Sequence, residues 1–175
     1  MVARDLLGKL LVIEEGGRRV ARIVEVEAYL AGDPASHAFR PRTPRTAPMF
    51  GRPGHAYVYI SYGQHHCMNV VAKAPGQPAG AVLIRGAEPV AGLVPDDPRA
   101  LAGPGNLGKA LGLRAARHSG LDLLRAPLTI RDAPRLPAAS VGRSPRIGLS
   151  GGPTFHKAWR LYVRGSPGVS RSPRR

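Results

Sequence analysis

Residues 22–30, Arg-Ile-Val-Glu-Val-Glu-Ala-Tyr-Leu, constrain this chain more than any other stretch. Ile23, Val24, Val26 and Ala28 are apolar and mostly β-favouring, and Glu25 and Glu27 interrupt them two apart. In a strand, residues two apart share a face. Both carboxylates therefore point the same way, and Tyr29 is expected to leave from the other side unless the strand bulges or ends there. Two readings of the paired acids are open. One is a solvated sheet face with arginine neighbours. The other is a carboxylate held in a pocket to activate water.

Charge supplies the context. Lys and Arg total 26 against 11 Asp and Glu, a net charge of +15, and only Lys9, Lys73, Lys109 and Lys157 are lysines. A solubilising surface mixes signs, whereas an arginine-heavy excess suits phosphate, whose oxygens the guanidinium fork matches. A GC-rich coding sequence explains Arg over Lys but not the shortage of acids, so a polyanionic partner is the better account. The 175 residues suit one domain with a core of its own. The 18 prolines and 22 glycines put much of the chain in loops. Cys67 stands alone, which excludes an internal disulfide framework and a cysteine-based zinc cluster. No apolar run approaches the ~20 residues of a spanning helix, and no export signal is visible. A cytoplasmic, reducing setting is expected.

Residues 3–11 are apolar at helical spacing, weakened by Gly8. Leu10–Ile13 reads as a strand, and residues 14–17 read as a hairpin turn into the acidic strand. Residues 40–45 are basic and proline-punctuated, either disordered or laid along phosphates. In residues 55–60, Tyr57 and Tyr59 share one face and Val58 and Ile60 the other, with Tyr62 beyond. These tyrosines suit cross-strand packing or a base-stacking surface. His65 and Cys67 fall on one face and His66 on the other, which argues against zinc. Residues 70–72 and 80–84 are further strand candidates, the second ending at Arg85. Gly103-Pro104-Gly105 opens an apolar helix over 107–113, either leaving amides free for a phosphate or simply making a turn. Residues 121–131 read as turn and strand, and 158–163 as a last strand with Trp159, Leu161 and Val163 opposite Arg160 and Tyr162. No repeat or linker interrupts residues 1–170, and 171–175 form a basic tail expected to fray.

Four stretches together are specific. They are 22–30; 49–59, Met-Phe-Gly-Arg-Pro-Gly-His-Ala-Tyr-Val-Tyr, with Tyr62-Gly63 and Cys67-Met68-Asn69-Val70 after it; 82–89, Val-Leu-Ile-Arg-Gly-Ala-Glu-Pro; and 162–167, Tyr-Val-Arg-Gly-Ser-Pro. Through them the chain, from Ala3 to Ser170, resembles the alkyladenine (3-methyladenine) DNA glycosylases related to the human alkyladenine glycosylase. The resemblance implies a mixed α/β (α+β) fold, a single compact domain with a curved, mainly antiparallel sheet and a few short helices. It also implies a monomeric, monofunctional repair enzyme without cofactor or metal. Such an enzyme flips alkylated or deaminated purines out of double-stranded DNA and hydrolyses the N-glycosidic bond with an activated water.

The resemblance assigns roles as well. Glu27 matches the general base, and Arg85 a residue near the water and the target phosphate. Tyr29, His37, Tyr59 and Asn69 match the residues around the flipped base, Asn69 excluding the 2-amino group of guanine, and Tyr62 matches the side chain that fills the vacated place in the duplex. Arg42, Arg45, Met49, Gly105, Arg146 and Arg164 are expected on the DNA backbone. Glu25 is expected to ion-pair with Arg22 or another arginine.

The chemistry fits these roles. Departure of a purine develops positive charge on the sugar, which a carboxylate stabilises while taking a proton from water. An alkylated purine is already cationic, leaves easily and stacks well on aromatic rings. No lysine falls in the motifs, so no covalent imine is expected. Ser61, Gln64 and His66 are more polar than is usual beside Tyr62, Asn106 stands where lysine is common, and Gly168 replaces a bulkier residue. The alternative is a non-catalytic, basic nucleic-acid-binding module on the same fold, for which charge and tyrosines suffice and Glu27 is not needed.

Overall fold

In the computed structural model, which describes residues 2–95, 97–149 and 151–170, the chain forms a few short helices and a larger set of strands. The helices are α1 (Val2–Leu6), α2 (Pro104–Ala110) and α3 (Ala115–His118). The strands are β1 (Leu10–Ile13), β2 (Arg19–Leu30), β3 (Ala56–Ser61), β4 (His65–Val71), β5 (Gly80–Ala91), β6 (Leu128–Arg131), β7 (Val141–Ser144) and β8 (Arg160–Val163). The expected tail, 171–175, lies outside the described residues.

The strands pair antiparallel in the order β3-β4-β5-β2-β1-β6, with β8 on β2 and β7 on β8. The strand β2 is the hub. One edge pairs with β5 from Val20 to Leu30, while the other is divided, β1 taking Arg19 to Arg22 and β8 taking Glu25 to Glu27. The sheet curls around this branch point, giving the expected α+β domain with a curved antiparallel sheet.

Two opposed bulges sit at the centre of the β2–β5 ladder. Ile23 pairs with Ala87, Glu25 with Gly86 and Val26 with Ile84, so Val24 and Arg85 are both extra residues. A bulge changes the face on which later residues fall. Ile23 and Val26, three apart, consequently both enter the main core, as do Ile84 and Ala87. Arg85 does not end its strand, contrary to expectation, because pairing with β2 resumes beyond the bulge as far as Ala91.

The core-facing side of the sheet carries Val58, Met68, Val70 and Val82 and is covered by Leu101, Leu107, Leu111 and Leu113. Each such leucine, fully buried, contributes about 1.5–3 kcal/mol. The helix α2 lies tight on β4: a Cβ at Gly108 would fall 1.9 Å from the His66 carbonyl oxygen. It spans Pro104–Ala110, earlier than the expected 107–113, since proline is accommodated in a helix's first turn. The first helix stops at Leu6 because Gly8 turns the chain at φ +86, which releases Leu10 and Leu11 into β1. The last strand is shorter than expected and starts at Arg160.

Candidate active site

The other side of the sheet carries a cleft of about 340 Å³, within the range of small-molecule sites. Leu83 and Arg85 of β5, Tyr57 and Tyr59 of β3, and Cys67 and Asn69 of β4 line it, as strand alternation requires. Tyr29, His37 and the loop of Ile147, Gly148 and Leu149 complete the walls, and Ser61 and Tyr62 lie at its edge. Tyr57 and Tyr59 stack with centroids 5.5 Å apart, and His37 meets Tyr59 edge-on at 4.6 Å. His37 Nδ1 and the Tyr57 hydroxyl are 2.9 Å apart. Asn69 Nδ2 donates to the Tyr57 carbonyl at 3.0 Å, which fixes how its amide points. Burial pushes the Tyr57 phenol up to about 12, and burial with Arg45 and Arg40 nearby pushes His37 down. Both are therefore neutral near pH 7.

Glu25 and Glu27 are not on a solvated face: both are 0 % exposed. Glu27 lies beneath the cleft. Its Oε1 accepts from the Ile147 N–H at 2.7 Å, and its Oε2 accepts from the Tyr29 hydroxyl at 2.9 Å and from Arg85 Nη1 at 3.4 Å. Tyr29 thus leaves from the same side as the acids and not the opposite one. It follows Glu27 by two residues in an unbroken stretch of strand, so the period of two gives both one face. Burial raises the Glu27 carboxyl above its ordinary range, Arg85, the Ile147 amide and Tyr29 pull it back, and Glu25 adds to the rise. Burial and the neighbouring carboxylate likewise raise the Tyr29 phenol, which stays protonated as a donor.

Glu25 is paired as expected with arginines, but not with Arg22, whose guanidinium turns to the Gly8 carbonyl. Glu25 Oε1 takes Arg160 Nε at 2.6 Å and Arg85 Nε at 3.2 Å, and its Oε2 takes the Ser170 N–H at 2.7 Å. Arg85 therefore bridges the two acids. Ser170 reaches Glu25 because residues 168–170 pass close to the sheet: a Cβ at Gly168 would fall 2.3 Å from the Ala87 carbonyl oxygen. This course needs a glycine at position 168.

Arg146 is inside the protein. None of its side chain is exposed; it pairs with Asp33, donates to the Ala28 carbonyl at 3.1 Å and lies between the Tyr29 and Trp159 rings, 4.5 and 5.0 Å from their centroids. Its guanidinium is thus not at the surface where a backbone contact was expected. Met49 is buried too, against the cleft, with its N–H bonded to the Thr46 carbonyl. Arg42, Arg45 and Arg164 are exposed, and Gly105 is half-buried at the start of α2 against the His65 ring. Asn106 turns its amide back to the Ala102 carbonyl, and His66 accepts from the Ala115 N–H at 3.0 Å.

Tyr62 is 92 % exposed beside the cleft and is the one non-glycine described with a left-handed backbone, at φ 48. Together with Gly63 at φ 73 and the Gln64 N–H bonded to the Ser61 carbonyl, it makes a tight turn that projects the ring outward. Such strain, of the order of 1–2 kcal/mol, clusters at functional sites.

Ile147, Arg160 and the Asp33–Arg146 pair escape sequence reasoning. Their partners lie 113 to 135 residues away along the chain, and no local pattern reports a contact of that range.

A curled antiparallel sheet with a buried acid under a tyrosine-walled cleft, in a basic chain, describes a nucleic-acid-directed enzyme class more closely than a bare binding surface. Residues 1–167 match the family model described as methylpurine-DNA glycosylase (MPG). A Myxococcus xanthus protein named "Putative 3-methyladenine DNA glycosylase" is 51% identical over 99% of this chain and 89% of its own length. Proteins of the same name from Anaeromyxobacter dehalogenans and Chlorobaculum tepidum are 50% and 43% identical, each over 98% of this chain, covering 80% and 86% of their own lengths. The chain belongs to the methylpurine-DNA glycosylase family. Among the described residues, no helix is long and apolar enough to cross a membrane.

Proposed function

We propose that this protein is a DNA repair glycosylase that takes a damaged purine nucleotide out of the duplex into the cleft and hydrolyses its N-glycosidic bond with water. The observation that carries the reading is Glu27, an acid enclosed at the base of a cleft walled by Tyr29, Tyr57 and Tyr59.

An ionised carboxylate offers about four lone-pair sites. Ile147, Tyr29 and Arg85 use three, which leaves one lone pair on Oε1 to accept from a water. The raised proton affinity of Glu27 suits it to take that water's proton as the hydroxide adds to the sugar carbon. Its charge also stabilises the positive charge that grows on the sugar as the purine leaves. Arg85 orients the carboxylate and holds one phosphate. Tyr59 and Tyr29 hold the base between them, His37 hydrogen-bonds it, and the fixed Asn69 amide stands against a 2-amino group. Tyr62 enters the stack in place of the extruded nucleotide. Arg42, Arg45, Arg164 and the amides at Gly105 take backbone phosphates, while Met49 and Arg146 act from inside, as packing for the cleft. Hydrolysis by water makes the enzyme monofunctional, acting as a monomer in the bacterial cytoplasm without a cofactor.

A pure binding module gains nothing from burying two acids and two arginines, since such a cluster is expensive to desolvate. The deciding experiment is base release from duplexes carrying 3-methyladenine, 7-methylguanine, hypoxanthine or ethenoadenine, with Glu27→Gln as control. Release by the parent protein and retained binding without release by the variant are expected. Equal behaviour of the two proteins would leave only a binding module.

A further inference from the structure

Two arginines stand against the aromatic walls of the cleft. Tyr29 and Tyr59 both line it, and each carries an arginine over its ring, with Arg146 Cζ 4.5 Å from the Tyr29 centroid and Arg45 Cζ 5.6 Å from that of Tyr59. Neither arginine lines the cleft: Arg45 shares a separate surface recess with Tyr59, and Arg146 meets Tyr29 together with Trp159, which does not line the cleft either. Among the described lining residues Arg85 is a cation and none is a carboxylate. The nearest acid, Glu27, is below the lining and already engaged by Arg85.

An aromatic face attracts a cation through its negative quadrupole. Where a guanidinium already occupies one face, the π density is drawn toward it. A second cation on the opposite face then meets a weakened attraction and a like charge. A neutral purine on the same ring loses nothing, because it stacks well on a ring depleted of electron density. Arg146 is tethered against Tyr29. The Asp33 carboxylate, the Ala28 carbonyl and the Trp159 ring hold it there, although Asp33 also moderates its charge.

We propose that Arg146 behind Tyr29, seconded by Arg45 behind Tyr59, is a specificity-determining residue that makes this cleft favour neutral damaged purines over cationic ones. The inference rests on the glycosylase reading. It runs against the expectation that the tyrosine walls stack best on an alkylated, cationic base.

The test compares kcat/KM for a neutral lesion, hypoxanthine, and a cationic one, 7-methylguanine, in otherwise identical duplexes. The ratio of variant to parent removes the different lability of the two bonds, and also removes any lost phosphate contact. Arg45→Met, at an exposed site, is expected to move the preference about threefold toward the cationic base, the size of an exposed cation–π contact. Arg146→Met combined with Asp33→Asn, which leaves no buried unpaired charge, is expected to move it about thirtyfold, as for a desolvated contact. In the unmodified protein, 9-methyladenine is expected to inhibit release more strongly than the 3,9-dimethyladeninium cation, a comparison that needs no variant to fold. Release whose substrate ratio is unmoved in the folded variants, or inhibition by the cation as strong as by the neutral base, would overturn this inference alone. No release of either base by the unmodified protein would overturn the glycosylase reading and this inference with it.

Discussion

Tyr29 donates its hydroxyl to Glu27 Oε2 at 2.9 Å from two residues further along the same strand. The bond favours the charged carboxylate where burial favours the neutral acid. Tyr29→Phe keeps the ring and removes the donor, so Glu27 holds its proton to higher pH. The acid limb of the pH–rate profile is expected to move up, with base release falling more at acidic than at alkaline pH. Superimposable acid limbs for the two proteins would mean that Glu27 is not the titrating base.

The raised carboxyl of Glu27 also couples to stability. The folded protein binds this proton more tightly than the unfolded chain, whose reference value is 4.5. Stability contributed by the protonated form is therefore lost as pH rises from 4.5 through the raised folded value. Glu27→Gln removes that titration. The Tm difference between variant and parent is expected to shift in the variant's favour across this window and to level off above it. Thermal melts over a pH series check the sign.

The Asp33–Arg146 pair makes a larger prediction. Arg146→Met alone leaves Asp33 buried without its ion-pair partner, and a loss of about 3–5 kcal/mol is expected. Adding Asp33→Asn is expected to recover a good part of it, because the uncompensated charge goes with it. Denaturant unfolding of both single variants and the double variant measures the coupling. Additive losses would show that the pair is not the determining contact.

Gly108 sets how closely α2 approaches β4. With 1.9 Å between its would-be Cβ and the His66 carbonyl, Gly108→Ala is expected to push the helix off the sheet and lower stability by about 1–3 kcal/mol. Gly16→Ala offers a contrast, since at φ +60 it has nothing within 4 Å and carries only backbone strain. A smaller Tm loss at Gly108 than at Gly16 would contradict the packing described.

On DNA, Arg42 and Tyr62 are expected to behave differently. Arg42→Ala is expected to weaken binding to damaged and undamaged duplexes alike and to reduce the salt slope by about 1. Tyr62→Ala is expected to leave the salt slope unchanged and to slow release from paired lesions more than from mismatched ones, since the wedge compensates for lost pairing. Titrations at several salt concentrations and single-turnover release distinguish the two.

The chain's own periodicity determined a good deal. Backbone pleating alone puts Tyr57 and Tyr59 on one face and Val58 and Ile60 on the other, and it puts Glu25, Glu27 and Tyr29 together, against the expectation that Tyr29 leaves from the opposite side. Gly8 and Gly103 mark breaks because their backbones need no neighbour to be explained. What tertiary structure decided is how those faces are used. The paired bulges at Val24 and Arg85 exist only where β2 meets β5, and they turn Arg85 from the end of a strand into the bridge between two buried acids. Arg160, 135 residues from Glu25, and Ile147, 120 residues from Glu27, reach those acids only through the folding of β7, β8 and the loop between them onto the hub strand. Arg146, one of 22 arginines in a chain whose charge points to phosphate, is drawn inward by Asp33 and two aromatic rings. Side-chain direction along one strand is a local property of the backbone; burial and partnership depend on what arrives from elsewhere in the chain.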